Sequence, residues 1–514
     1  MSESNLEYKK RMVDTISESY CGAKWYNATI WLGHGETTSC HHPPSHAIDV
    51  EEIKTNPSAI HNTPHKKKMR KMMHEGIRPN ECEYCWKVED MGKDHISDRV
   101  MKTKTVSDEK NKEAATLPWD ADVDLTTLEI SFNRTCNFAC SYCSPTFSTT
   151  WVKDIKKNGS YKNIVSDGRN HYATTADYAK NAGETEDDNP YIQAFWKWWE
   201  KSLQYNLDEL RITGGEPLMS DSVWKLFDWF KDNKPLSNRM RYAINSNLVP
   251  KKALMDRLIV ASQGVENFTL YTSQESVGKH AEYIRDGMKY DEWLSNVERL
   301  IVEGNVKHIV CMSTINGLCL ASLVEFLDML KPIKRKYGQE FMTISLNILR
   351  FPSFQSCAIL PENIKDLYRT KLQNWLDIAN KQMLTDLDCK NRPIFNEWEM
   401  NQVERLIDYL VIVKTPTANT AEIPKLYNDF KQFYIQYDER RGKNFRETFP
   451  QEFVDFIDSI PDVMEDRVNI IASDNEANIL SKEGSGYVSD ELTDKNKDHS
   501  DGHFTDEELA KGNT

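Results

Sequence analysis

Residues 136–143 read CNFACSYC, so Cys136, Cys140 and Cys143 stand with three and then two residues between them. Three thiolates can hold three irons of a four-iron, four-sulfur cluster and leave the fourth iron without a protein ligand, free to bind a substrate or cofactor. A zinc ribbon would need a fourth Cys or His close by to complete a tetrahedron, and none lies near Cys143. Far downstream comes ITGGEP (212–217), which on its own would read as a turn. A further group of cysteines, Cys21, Cys40, Cys82 and Cys85, occupies the N-terminal part.

The elements that must position these residues are short apolar and β-branched runs. They are LTTLEISF (125–132), ELRITG (209–214), RYAINSN (241–247), FTLYTS (268–273), KHIVCMST (307–314) and MTISLNIL (342–349), which predict six strands. Helical periodicity fills the gaps at 221–233, 251–262, 290–304 and 320–338. Strand and helix in alternation predict parallel strands with right-handed crossovers, hence a β/α barrel, partial or complete, or an open doubly wound sheet. Active sites of both lie at the C-terminal ends of the strands. CNFACSYC and GGEP follow the first two predicted strands, so they should meet at one mouth.

The first crossover is long and polar from 156 to 190, before the aromatic helix YIQAFWKWWEKSLQY (191–205). It reads equally as a lid or as a solvent-exposed insertion. Phe195, Trp196, Trp198 and Trp199 read as helix-to-sheet packing. Beyond Pro361 the chain turns helical, and from about residue 472 it is acidic, polar and predicted to be disordered. There are no internal repeats.

The length of 514 residues predicts two to four domains. With 65 Lys+Arg against 79 Asp+Glu the net charge is −14, so no general basic character advertises nucleic acid. The local run HKKKMRK (65–71) reads as a solvated helix face. No apolar stretch approaches the roughly 20 residues that span a bilayer, and the polar N-terminus has no signal-peptide core, which predicts a cytoplasmic protein. Eleven cysteines in a reducing compartment argue against structural disulfides. Cys311, Cys319, Cys357 and Cys389, scattered among apolar neighbours, read as small buried hydrophobes.

CNFACSYC, with aromatic Tyr142 before the third cysteine and GGEP after the second strand, resembles the radical S-adenosylmethionine (SAM) enzymes and their CxxxCx(aromatic)C motif. The resemblance implies an α/β fold: a partial (β/α)6 barrel core, with a small N-terminal auxiliary cluster domain and C-terminal helices. It implies a 4Fe-4S cluster on Cys136, Cys140 and Cys143, with SAM chelating the open iron. Gly214 and Gly215 would let backbone approach the methionyl amine, and Glu216 would support that ammonium. YAINSNLV (242–249) resembles the family's third-strand segment, which would bring Ser246 and Asn247 to the ribose. SQESVGKHAEYIR (273–285) resembles the family's S-x-D-G…R pattern, so Ser273 and Arg285 would hold the SAM carboxylate and ribose. Glu275 and Ser276 stand there for Asp and Gly. The residue-level alternative for Arg285 is a surface position on the following helix.

The N-terminal group resembles a twitch domain, a shortened SPASM domain: Gly35 stands five positions before Cys40, and CEYC (82–85) closes the set. Four cysteines imply a fully ligated second iron-sulfur cluster that relays electrons or shapes the pocket; a structural Zn(Cys)4 site would use the same ligands. His41, His42 and His46 could serve as alternative ligands but read as a solvated turn. Boundaries on this reading are 1–120 for the auxiliary domain and linker, 121–360 for the core, 361–470 for the helical region and 471–514 for the tail. The implied activity is reductive cleavage of SAM and hydrogen abstraction from a peptide or small molecule, in an oxidation, cross-link or related modification. Alternatives are a sugar or nucleotide radical dehydrogenase and a non-catalytic metal-binding scaffold. An electron donor such as flavodoxin or ferredoxin is implied. No general base or radical quencher is identified; Cys319, Tyr271 and Asn347, at strand ends, read more simply as packing.

Overall fold

The computed structural model describes residues 3–92, 95–164, 172, 185–412 and 422–462. Its strands are β1 (Asn27–Trp31), β2 (Glu36–Thr38), β3 (His46–Ala47), β4 (Thr127–Ser131), β5 (Ala139–Cys140), β6 (Glu209–Thr213), β7 (Arg241–Ser246), β8 (Phe268–Ser273), β9 (Arg285–Asp286), β10 (His308–Ile315) and β11 (Met342–Ile348). Nine of them form one mostly parallel sheet in the order β11-β10-β8-β7-β6-β4-β1-β2-β3, and β5 pairs with β9 apart from it. Each of the six predicted strands is present within about two residues of its expected limits.

Strand alternation sorts the side chains onto two faces. Leu128, Ile130, Leu210, Ile212, Tyr242 and Ile244 are buried beneath the crossover helices. Of helix Asp221–Asp232, Phe230 stacks on Tyr242 and Phe227 meets it edge to face, and Trp293 of helix Tyr290–Glu303 donates to Thr272 Oγ1 at 3.0 Å. Their neighbours Glu129, Arg211, Asn245 and Tyr271 face the other way and are only half-buried. The aromatic helix Pro190–Lys201 packs as expected, with Phe195, Trp198 and Trp199 buried.

The sheet does not begin at β4. Backbone of β1 pairs parallel to β4, Asn27 with Thr127 through Trp31 with Ser131, so the N-terminal part extends the sheet before building its own small core. That core holds Val13, Tyr20, Trp25, Met73 and Trp86 with Cys21, Cys82 and Cys85. The basic run 65–71 lies on helix Pro64–His74 and is only in part the solvated face expected of it, with His65, Lys68 and Lys71 exposed. Lys66 and Arg70 share a face with Met69 and Met73 by helical spacing and are buried with them. Lys66 Nζ donates to Thr37 Oγ1 at 2.8 Å and Arg70 Nε to Lys24 O at 3.0 Å. Of the cysteines expected inside, Cys311, Cys319 and Cys357 are buried, whereas Cys389 is exposed in the turn between Leu387 and Pro393.

Helices Glu362–Lys381, Glu397–Ile412, Glu422–Arg441 and Gln451–Ser459 complete the described chain. Helix Glu397–Ile412 guards the edge of β11: Glu399 Oε1 accepts from Ile344 N at 3.1 Å and Gln402 Oε1 from Leu346 N at 2.7 Å, so free strand donors are paired. Glu399 also meets Lys334 at 2.8 Å with both side chains fully buried. Removing one partner strands the other charge, so Lys334→Met is expected to lower unfolding free energy by about 3–5 kcal/mol in urea titrations. Lys334→Met with Glu399→Gln, which retains an acceptor for Ile344, is expected to recover most of it; equal losses would refute the ion-pair account.

Among the described residues no helix is long and apolar enough to cross a membrane. The predicted tail and most of the candidate lid lie outside the described residues.

Candidate active site

The cysteine loop leaves β4 at Ser131 and is fixed from both sides. Its β5 backbone pairs antiparallel with β9, Cys140 opposite Arg285. The GGEP stretch runs along its entry: Glu216 N donates to Thr135 O at 2.7 Å. Gly214 has φ +129°, and a Cβ there would come within 2.6 Å of Ser131 Oγ; one on Gly215 would strike Thr135 O and the Arg134 main chain. Both glycines therefore admit the cysteine loop itself, a close approach that any larger residue would block.

An irregular loop holds its shape only if its polar backbone is satisfied. Here five of the loop's carbonyls meet side-chain donors. Thr150 Oγ1 donates to Cys136 O at 2.6 Å, Ser148 Oγ to Phe138 O at 2.6 Å, and Trp151 Nε1 to Cys140 O at 3.0 Å. Tyr437 donates to Ala139 O at 3.3 Å, while Tyr172 and Gln355 donate to Ser141 O at 2.6 and 3.0 Å. His34, in the turn after β1, pairs with Thr146 O at 3.0 Å and holds the loop's exit.

Cys136, Cys140 and Cys143 are free thiols, partly open to solvent. Burial pushes Cys136 up to about 12 and Cys140 up to about 11, and raises Cys143. Arg285 opposes that rise at Cys140, with Nη1 3.8 Å from its sulfur, and Phe138 N donates to the Cys136 sulfur at 3.4 Å. Three thiols with a guanidinium and a backbone donor aimed at their sulfurs are a donor set that fits an iron cluster.

Arg285 is buried, which removes the surface alternative. Its Nε and Nη2 reach Glu275 Oε2 at 3.1 and 2.5 Å, and the Tyr142 hydroxyl donates to Glu275 Oε1 at 3.1 Å. Glu275, in place of the family's Asp, thus joins the aromatic of the cysteine motif to the arginine. Burial pushes the Glu275 carboxyl up against the pull of Arg285.

Glu216 is also buried. It accepts from Ser246 Oγ and Asn247 N, both at 2.8 Å, and from Leu218 N at 3.1 Å, while burial pushes it up to about 7. Asn247 Nδ2 donates to Asn137 Oδ1 at 2.8 Å. The structure therefore gathers Gly214, Gly215, Glu216, Ser246 and Asn247 around the cysteine loop, with several of their polar groups bonded to one another. Ser273 ends β8, half-buried.

Cys21, Cys40, Cys82 and Cys85 line one small cavity with Lys24, Asp98 and Arg99. Buried Lys24 pairs with Glu81, and Arg99 with Glu89 at 2.5 Å. Burial pushes Cys82 and Cys85 up to about 12. Among the described residues no three or more His, Cys, Asp or Glu side chains converge as on a single ion. His42 lines the same cavity, where it bonds Asp98 at 2.8 Å and stacks on Tyr84, while His46 bonds Thr63 at 2.8 Å. His41, beside Cys40, lies within electrostatic reach of Glu129 and Arg211, so this site borders the open face of the sheet.

Sequence reasoning missed the C-terminal contribution. Phe430, Phe433, Tyr434 and Tyr437 follow one helical stripe, a signal for a buried face, yet nothing in their pattern says that the stripe covers the cysteine loop.

No protein-family model matches the chain, and no curated protein matches it. Among solved structures it is similar to Streptococcus suis SuiB bound to S-adenosylmethionine, with 14% identity and TM-score 0.34 over 69% of each chain. It is also similar to Streptococcus suis SuiB bound to precursor peptide SuiA, with 12% identity and TM-score 0.31 over 70% of each chain.

Proposed function

We propose that the chain is a radical SAM enzyme that abstracts a hydrogen atom from a peptide or small-molecule substrate, leading to oxidation, cross-linking or a related modification. The observation that carries this reading is the cysteine loop: three thiols on backbone fixed carbonyl by carbonyl at the C-terminal ends of parallel strands, with GGEP packed against its entry. A reduced cluster bound there would supply the electron that cleaves the SAM sulfonium to methionine and a 5′-deoxyadenosyl radical.

In this reading β4, β6, β7, β8, β10 and β11 and their helices form the partial (β/α)6 core. Cys136, Cys140 and Cys143 hold the cluster, and Tyr142 fixes the loop through Glu275. Backbone at Gly214 and Gly215 borders the SAM methionyl group, and Glu216 braces Ser246 and Asn247 near the ribose. Ser273 offers its hydroxyl to the carboxylate, and Arg285 shares its charge between Glu275 and the site.

Cys21, Cys40, Cys82 and Cys85 hold a second cluster within a twitch-like N-terminal unit. The four cysteines lining one cavity, with the cations Lys24 and Arg99 beside them, support this reading. Electrons arrive from a partner such as flavodoxin or ferredoxin. The test is anaerobic reduction with SAM: 5′-deoxyadenosine is expected from the native chain and not from Cys143→Ala.

A further inference from the structure

The open face of the sheet carries two buried polar atoms that nothing among the described residues satisfies. Arg211 on β6 uses Nη1 toward Glu129 Oε2 at 3.4 Å and Nη2 toward Glu209 Oε1 at 3.1 Å and the Tyr271 hydroxyl at 3.0 Å. Its Nε, out of contact with solvent, has no partner among the described residues. One strand over, Asn245 Oδ1 is likewise buried and unpartnered. Register places the two close: Arg211 lies opposite Ala243, and Asn245 follows two residues along the same face, opposite Tyr271. Buried polar groups are nearly always hydrogen-bonded, so a donor and an acceptor left open side by side ask for a ligand carrying the complementary pair.

The charges narrow the ligand. Glu129 and Glu209 pair with Arg211 and Arg241, so the guanidinium charge is already met within the group. The guanidinium carbon stands 4.5 Å from the centre of the Tyr271 ring. What remains on offer is one donor and one acceptor.

We infer that Arg211 and Asn245 recognise an extended stretch of amide backbone: Arg211 Nε–H donates to the carbonyl oxygen and Asn245 Oδ1 accepts from the N–H of the same residue, two groups that lie on one side of an extended chain. This deepens the function proposed above by naming the substrate's chemistry. Arg211 lies within electrostatic reach of His41, beside Cys40, so an amide held there would stand near the four-cysteine group.

The test uses the full chain without reductant, so it does not depend on radical chemistry. N-Acetylalanine methylamide is titrated by ligand-observed NMR beside the same compound methylated on both amide nitrogens. The unmethylated probe is expected to bind about five- to tenfold more tightly, the worth of one hydrogen bond. Asn245→Leu is expected to abolish that preference without lowering the thermal midpoint, because it removes an unsatisfied group. Arg211→Lys, which lacks Nε–H, is expected to weaken both probes. A capped tetrapeptide binding more tightly than the single residue points to a peptide, and equal binding to a small amide. Equal affinity for the two probes, a preference that survives Asn245→Leu, or no binding of either would overturn the inference. An amide preference in a chain that makes no 5′-deoxyadenosine would leave this site standing and remove only the radical SAM reading.

Discussion

Glu275→Ala is expected to cost about 3–5 kcal/mol of folding free energy, because it leaves Arg285 buried without its counter-charge. The two side chains are 0% and 5% exposed, so water cannot replace the lost carboxylate. The loss should also reach the cysteine loop. Arg285 opens β9, which pairs with β5, and Tyr142 of the cysteine motif would lose its acceptor. Glu275→Asp keeps the charge on a shorter arm and should fall between native and alanine. Urea unfolding monitored by tryptophan fluorescence measures all three; an alanine cost below about 1 kcal/mol, the scale of an exposed pair, would contradict the geometry.

The second large effect is a division of iron between two sites. After anaerobic reconstitution, Cys143→Ala and Cys82→Ala are each expected to lose about four irons per chain, and the double variant nearly all of them. Colorimetric iron and sulfide analysis decides this. Cys82→Ala that retains the native iron content but loses zinc would assign the N-terminal cysteines to a tetrathiolate zinc site instead. Buried Lys24 and Arg99 sit at this cavity for either metal, so the count discriminates where charge does not.

Local pattern carried much of this architecture. Six strands announce themselves because each pairs a β-branched, apolar run with flanking turn residues, and CNFACSYC and GGEP are legible because their spacing needs no tertiary context. Contacts between distant segments were not legible. NATIW (27–31) gives no sign that it will pair with β4, because a five-residue strand takes its partner from the fold. Tyr437 and Gln355 read as ordinary residues until the chain brings them to carbonyls more than 200 positions earlier. Lys66 and Arg70 were misread for the opposite reason: charge suggested solvent, while the spacing of Met69 and Met73 already marked the inward face. Arg285 was recognisable as a candidate, but its pairing with Glu275 depends on a turn through helix Gly278–Ile284 that returns it to β8.

The three-cysteine loop is expected to support reductive cleavage of SAM. The decisive measurement is 5′-deoxyadenosine by liquid chromatography after anaerobic reconstitution and dithionite reduction, native chain beside Cys143→Ala. The account requires product from the native chain and none above background from the variant. A native chain that carries iron at the triad yet forms no 5′-deoxyadenosine, with or without candidate peptides, would contradict it.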